Sequence, residues 1–125
     1  MTFDWSEYLK LAQELAGQTA SPANEEAKLR SSVSRAYYAA FCKARNYLRD
    51  IEGYLIPSTS DAHAYVRDEF KRSPNKLGRK IGWELDQLRT HRNRVDYDDS
   101  VAGLPSTATM SLKLTQDVIS ALNIL

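Results

Sequence analysis

The sequence is poor in metal-binding and redox residues: it has one cysteine, two histidines and no long apolar run. The lone thiol, Cys42, cannot form a disulfide within the chain, which favours a reducing, cytoplasmic setting. His63 and His91 are too few for the paired Cys and His spacing of a zinc site. No apolar run approaches roughly 18 residues, and the amino terminus lacks the pattern of a signal peptide. We therefore expect a cytoplasmic protein without a metal site or a membrane span.

Catalytic motifs are also scarce. The sequence contains no glycine-rich loop that could cradle a phosphate, and no serine occupies a nucleophile elbow. These absences predict that no cofactor is bound. A length of 125 residues, with 42% hydrophobic and 26% charged residues, suits a single folded domain over residues 1–125.

Positive charge is concentrated in the middle of the chain, although the net charge is only +1. From Arg67 to Arg94 nine Lys and Arg residues oppose four acids, whereas residues 1–26 carry five acids and one lysine. Such a patch attracts phosphates, so the pattern favours a polyanion such as nucleic acid. The same charges also suit a solvated helix face, and charge alone leaves both interpretations open.

Every long segment has the periodicity of a helix, and no useful β-alternation occurs. Asp4 with Glu7 predicts a capping box, and Ser21-Pro22 predicts a cap followed by proline at the first helical position. The predicted helices run over residues 4–17, 22 to about 52, 61–72, 74 to 95 or 97, and 105–125. The pattern therefore predicts an all-α, up-and-down bundle of four or five helices.

The fourth predicted helix carries an arginine on an apolar stripe. At about 100° per residue, one narrow face collects Leu77, Ile81, Leu85, Leu88, Arg92 and Val95. Burial removes water from a guanidinium, which then needs a carboxylate or other acceptors, and Asp96 lies four residues on. The pair either only holds a helix end or belongs to a preorganised cluster at a cleft or subunit seam. A second copy covering the stripe would make the protein a homodimer.

Two segments resemble the signatures of the HEPN superfamily of prokaryotic helical proteins. The segment from Ser34 to Arg45 (SRAYYAAFCKAR) is similar to the Ala-Tyr-Tyr-Ala-x-Phe helix of that family. The segment from Arg92 to Tyr97 (RNRVDY) resembles its second signature, in the Arg-x-x-Ala-Asp-Tyr style of a branch of small proteins associated with toxins and nucleotidyltransferases. The order and separation of the two segments also fit the family, over nearly the whole chain.

The resemblance implies a dimerising four-to-five-helix domain whose second-signature helices meet near the twofold axis. Many HEPN proteins are metal-independent endoribonucleases and toxins, often encoded beside a minimal nucleotidyltransferase antitoxin. Their nuclease motif is an Arg, a polar residue and then a His about four to six residues after the Arg. Arg92 and Asn93 match its first two positions, but the fifth residue after Arg92 is Tyr97, and tyrosine, with an ordinary pKa near 10, is a poor base. The fold therefore transfers, and nuclease activity does not transfer automatically.

On this resemblance the candidate catalytic residues are Arg92, Asn93, Asp96 and Tyr97. Arg92 would stabilise charge on the phosphate, Asn93 would orient it, and Tyr97 or His91 would handle the proton. The candidate RNA- or nucleotide-binding residues are Arg35, Tyr38, Arg89, His91 and Arg94. Tyr97 is also the candidate target for nucleotide transfer by a partner enzyme, the alternative being a hydroxyl that only forms a hydrogen bond at a helix end. His63 is expected to be a surface or capping histidine.

Two functions stay open at this point. The first is a toxin-like HEPN protein of a toxin-antitoxin or defence system, which binds RNA and cleaves it without a metal. The second is a non-catalytic HEPN module that binds a nucleotide or a partner nucleotidyltransferase. The missing motif His favours the second, while the basic middle of the chain keeps RNA as a partner. The expected partners are a second copy of the chain, RNA and a minimal nucleotidyltransferase antitoxin.

Overall fold

A computed structural model describes residues 3–17 and 25–125, which form five α-helices and no β-strand. The helices are α1 (Glu7–Gly17), α2 (Glu25–Asp50), α3 (Asp61–Lys71), α4 (Lys76–Tyr97) and α5 (Leu104–Ile124). The predicted all-α fold is therefore confirmed. The predicted start of the second helix at Ser21-Pro22 lies outside the described residues. Within those ranges, no helix combines the length and the apolar character needed to span a membrane.

Side-chain caps determine where two of the helices begin. Asp4 Oδ1 accepts hydrogen bonds from the backbone N of Ser6 at 3.0 Å and from its hydroxyl at 2.7 Å. Glu7 forms an ion pair with Lys10 at 2.9 Å instead of returning to Asp4, so the predicted reciprocal capping box is not formed. At the start of α4, the Asn75 side chain accepts from the backbone N of the second residue after it at 2.8 Å.

Helix α2 is the centre of the bundle and contacts all four other helices. The stripe predicted for it is buried along its whole length: Leu29, Val33, Ala36, Tyr37, Ala40, Phe41, Ala44 and Leu48. Two buried hydroxyls tie it to its neighbours, because Ser32 donates to the Ala12 carbonyl at 2.7 Å and Thr115 donates to the Ala36 carbonyl at 2.9 Å. Small residues thus allow α1 and α5 to approach α2 closely.

The close approach of α3 to α4 depends on a glycine. A Cβ atom at Gly82 would lie 2.7 Å from the backbone N of Lys71 and 3.0 Å from the carbonyl oxygen of Arg67. The two helices run in opposite directions here, and Asp86 forms ion pairs with Arg67 at 3.4 Å and Lys71 at 3.2 Å. With a rise of about 1.5 Å per residue, this register brings His63 level with the second half of α4.

The end of α4 is held by an arginine from α2. The Arg30 guanidinium donates to the carbonyl oxygens of Val95 and Asp98, both at 2.7 Å, and to that of Asp99 at 3.1 Å. These carbonyls carry the partial negative charge of a helix end, so a cation stabilises them. Arg30 therefore fixes the segment that carries the second signature.

The glycine contact predicts that Gly82→Ala destabilises the protein. Overpacking of a tight contact costs about 1–3 kcal/mol, which is more than the roughly 1 kcal/mol that alanine gains over glycine in a helix. The melting temperature, followed by circular dichroism, should fall by several degrees. Gly17→Ala is the matched control, because a Cβ there meets no atom of the described residues within 4 Å. Equal melting temperatures for both variants would contradict the close approach of α3 to α4.

Candidate functional site

The apolar stripe of α4 is covered within the chain itself. Ile81, Leu85, Leu88 and Val95 are buried, and the Arg92 side chain is only 16% exposed. Burial of this stripe therefore does not by itself require a second copy. The homodimer remains a proposal, and it now depends on the family resemblance rather than on the stripe.

Arg92 is held by acceptors from two helices. Its Nε lies 2.9 Å from Asp96 Oδ2, although the N–H is not directed at that oxygen, so the contact is an ion pair without a hydrogen bond. Its Nη2 donates to the Tyr38 hydroxyl at 2.6 Å, and its Nη1 donates to Asn93 Oδ1 at 3.1 Å. The guanidinium also lies over the rings of Tyr37 and Tyr38, at 5.8 and 5.2 Å from their centroids. The Arg92–Asp96 pair thus joins α4 to α2 and does more than close a helix end.

An open cleft of about 560 Å³ lies beside Arg92. Five of the predicted site residues line it, together with one histidine from α3: Arg89, Arg92, Asn93, Arg94, Tyr97 and His63. Asp96 does not line the cleft, and its carboxylate contacts Arg92 from the side. The second signature therefore forms one wall of a concave site, which we call the α4 cleft.

Positive charge in the α4 cleft is not balanced by the protein. Three arginines and one aspartate, Asp98, line it. Within the described residues, Arg89 and Arg94 have no carboxylate within ion-pair distance, and the buried Nε of Arg89 has no hydrogen-bond partner. A buried donor without an acceptor carries a desolvation cost, which an anion in the cleft would offset.

Two predicted site residues lie elsewhere. His91 points away from the cleft, with its Nδ1 3.0 Å from the Ser111 hydroxyl of α5, so the proposed reach of His91 to a phosphate does not fit the geometry. Arg35 lines a separate cavity, where its guanidinium lies over the rings of Tyr8 at 5.1 Å and Tyr38 at 5.7 Å. Tyr38 belongs to both regions, because its ring faces that cavity and its hydroxyl binds Arg92.

His63 is the site residue that the sequence analysis missed. Its ring stacks on Phe41, with centroids 4.3 Å apart, and lines the α4 cleft beside Arg89 and Arg92. Burial, and then the positive charges of these two arginines, lower the pKa of His63 to about 4. Its imidazole is therefore neutral at pH 7. The only sequence signal was its position next to the buried Ala62, which places it at the edge of the inward face of α3.

A buried tyrosine fixes the orientation of the His63 ring. The Tyr37 hydroxyl lies 2.5 Å from His63 Nδ1, and burial raises the pKa of Tyr37 well above its ordinary value, so the phenol stays protonated. A phenol can donate or accept, so it holds the ring in either tautomer. One ring nitrogen, Nε2, is thus left for a ligand, as a lone pair in one tautomer and as an N–H donor in the other.

Tyr97 lies at the outer edge of the same cleft. It is the last residue of α4, as predicted, and it is 74% exposed. No group of three or more His, Cys, Asp or Glu in the described part of the chain could hold a metal ion. The side chains that line the α4 cleft carry guanidinium, imidazole, amide, phenol, hydroxyl and carboxylate groups.

Comparison with known proteins identifies one family. The family described as the HEPN domain matches this chain over residues 7–125. No curated protein and no solved structure matches the chain.

The lowered pKa of His63 predicts how stability depends on pH. Between pH 6.5 and about 4, the unfolded chain binds a proton at His63 that the folded chain does not bind. The free energy of unfolding should therefore fall as the pH is lowered through this window. Above pH 6.5 the contribution of His63 to this free energy should not change with pH. Burial also lowers the pKa of His91, which adds a contribution of the same sign.

Urea unfolding of the wild type and of His63→Gln at pH 7, 5.5 and 4.5 measures how much of the pH dependence of the unfolding free energy comes from His63. The variant should lose less stability between pH 7 and 4.5 than the wild type, since the His63 contribution is removed while those of the other titrating groups remain in both proteins. The same loss in both proteins would mean that His63 titrates normally in the folded state.

Proposed function

The chain belongs to the HEPN domain family, and from this membership and the α4 cleft we propose that it is a toxin-like protein that binds and cleaves RNA. HEPN proteins are often ribonucleases or toxins, so the proposed setting is a toxin-antitoxin or defence system. The observation that carries the proposal is the Arg89 side chain, a partly buried cation that lines the cleft beside Arg92 and whose Nε has no acceptor among the described residues.

A phosphodiester fits the charges of the cleft. Arg89, Arg92 and Arg94 supply guanidinium donors, which bind phosphate oxygens in pairs. The Asn93 side chain already accepts from Arg92 and is exposed, so its amide N–H₂ can bind a further oxygen. Single-stranded RNA suits an open cleft of this kind better than a duplex does, because its backbone can bend into a concave site.

His63 supplies the imidazole that the second signature lacks. With Nδ1 bound by Tyr37, the free Nε2 lone pair takes the proton of the ribose 2′-hydroxyl. The 2′-oxygen then forms a bond to phosphorus, the bond from phosphorus to the 5′-oxygen breaks, and the leaving oxygen takes a proton from water while His63 returns its own to solvent. Arg92 and Arg89 stabilise the negative charge that develops on the phosphate oxygens.

The bound anion also improves His63 as a base. The pKa of the free imidazole is lowered partly by the positive charges of Arg89 and Arg92. A phosphate between these groups offsets their charge and raises the pKa toward the working range of a general base. RNA binding and proton transfer are thus coupled through the same two arginines.

Binding is tested with Arg89→Ala and a fluorescently labelled single-stranded RNA. The variant should bind more weakly, and the slope of log affinity against log salt should decrease by about 0.7, the value for one phosphate contact on a single strand. Its thermal stability should be unchanged or higher, because the removed Nε has no internal partner. Arg79→Ala on the same helix is the control, since Arg79 binds the Ser73 and Pro74 carbonyls outside the cleft. Equal RNA affinity in Arg89→Ala and the wild type would overturn the cleft as the RNA site.

Cleavage is tested on the same RNA in the presence of EDTA. His63→Gln should lower the rate by about 10²–10⁴-fold, the usual range for loss of a general base. His91→Gln is the matched control, because that ring binds Ser111 away from the cleft and its loss should leave the rate unchanged. Products should end in a 2′,3′-cyclic phosphate and a 5′-hydroxyl. If the wild type binds RNA but does not cleave it, the ribonuclease proposal is wrong and the protein is a non-catalytic binding module.

The exposed phenol of Tyr97 favours a second candidate, the module that is modified by a partner nucleotidyltransferase. A hydroxyl that is accessible at the rim of a phosphate-binding cleft suits transfer of a nucleotide to it. If the genome encodes such an enzyme beside this chain, incubation with it and a labelled nucleoside triphosphate should label the wild type but not Tyr97→Phe. Labelling of the Phe variant would exclude this residue as the acceptor.

A further inference from the structure

A second cavity, of about 540 Å³, adjoins the α4 cleft and is lined by aromatic rings. Trp5 and Tyr8 at the start of the chain, together with Tyr38 of α2, form its walls, and we call it the aromatic cavity. Trp5 and Tyr8 lie edge to face, with centroids 5.4 Å apart, and both are only partly buried. The volume lies within the roughly 300–1,000 Å³ of small-ligand sites. Arg35 also lines the cavity, with its guanidinium over the Tyr8 and Tyr38 rings, so a planar ligand stacks on aromatic rings and guanidinium planes together.

The aromatic cavity also holds hydrogen-bond donors with no carboxylate among its described lining residues. Arg45 lies over the Trp5 ring at 5.5 Å, its Nε donates to Asn46 Oδ1 at 3.1 Å, and neither of its Nη groups donates a hydrogen bond to a described residue. Ser58 and Thr59, in the loop before α3, also line the cavity. A planar ligand that displays acceptors along its edge fits this combination of rings and donors.

Two side chains connect the aromatic cavity to the α4 cleft. His63 lines both. Tyr38 lines the aromatic cavity, and its hydroxyl accepts the hydrogen bond from Arg92 at 2.6 Å. A ligand with a planar ring at one end and a phosphate at the other could therefore occupy both, with its middle part against His63.

We propose that the aromatic cavity is the nucleobase subsite for the RNA nucleotide whose phosphate binds in the α4 cleft, and that it favours guanine. The inference rests on the proposed function, because it places the phosphate at Arg89 and Arg92. Base stacking on aromatic rings is the usual way in which proteins hold single-stranded nucleic acid. Guanine presents two acceptors, O6 and N7, on one edge, and a guanidinium such as that of Arg45 binds such an edge with two hydrogen bonds. The ribose then lies against His63, where its 2′-hydroxyl meets the free ring nitrogen.

Tryptophan fluorescence tests this subsite directly. The chain has two tryptophans, and Trp83 lies on α4 outside both cavities, so Trp83→Phe leaves Trp5 as the only indole. In that protein, guanosine 3′-monophosphate should quench Trp5 emission and adenosine 3′-monophosphate should bind more weakly, while inorganic phosphate should leave the emission unchanged. Binding of inorganic phosphate is followed separately through the NMR signals of His63, which should shift as its pKa rises.

Two variants separate the base subsite from the phosphate site. Arg45→Gln should weaken binding of guanosine monophosphate at least about fivefold and should leave inorganic phosphate binding unchanged. Arg49→Gln is the control, since Arg49 lies one turn further along α2, pairs with Asp50 and does not line the aromatic cavity. A melting curve of each variant shows whether it is folded. The Trp5 fluorescence experiment does not depend on these variants, because it leaves every residue of the aromatic cavity unchanged.

The outcomes distinguish this inference from the proposed function. If phosphate shifts the His63 signals but the guanine nucleotide binds no more tightly than phosphate and Trp5 does not respond, the base subsite is wrong and the phosphate cleft remains. If adenosine monophosphate binds as tightly as the guanine nucleotide, the guanine preference through Arg45 is wrong. If phosphate does not bind at all, the proposed function itself fails.

Discussion

The burial of Arg92 against two tyrosines of α2 is the constraint on which the rest of this structure depends. A guanidinium on an apolar helix face has to regain the hydrogen bonds that it loses with water, and here the acceptors come from both helices. The Tyr38 hydroxyl can serve only if α2 and α4 keep their present register. Arg30 of α2 makes the reciprocal contact by binding the carbonyls at the end of α4. Two arginines, one from each helix, thus fix the position of the second signature.

This arrangement leaves an excess of positive charge at one surface. Among the described residues, Arg92 has a carboxylate within ion-pair distance and Arg89 has none, so the positive charge of the cleft is left for the proposed anion. Burial, and then the same charges, lower the pKa of His63 and keep its imidazole neutral at pH 7. Burial of an unpaired donor costs stability in the free protein, and such costs are typical of sites that bind ligands rather than of sites that only support the fold. These electrostatics support the proposed role of the Arg92 cluster in binding an anion.

The helices could be predicted because their signals are local. The periodicity of α2 places Leu29 and Leu48 on one buried stripe, and proline and glycine mark the helix ends. The contact of Arg92 with Asp96 follows from their positions four residues apart on one helix, and α4 ends at Tyr97, one of its two predicted ends. The capping box was wrong because Glu7 has a competing partner, Lys10, at a similar distance along the helix. The choice between two side-chain partners depends on small energy differences, which the sequence pattern does not reveal.

By itself, the sequence determined the all-α fold and the place of Arg92 on the buried face of α4. These are properties of a single helix, and helical geometry fixes them. Only the tertiary structure decided which imidazole stands beside Arg92. His63 reaches the cleft because Gly82 lets α3 pass close to α4, whereas His91, adjacent to Arg92 in sequence, turns toward α5. The packing of α1, α2 and α3 likewise forms the aromatic cavity from residues that lie more than 50 positions apart in the sequence. The periodicity of a single segment cannot predict such a contact between segments.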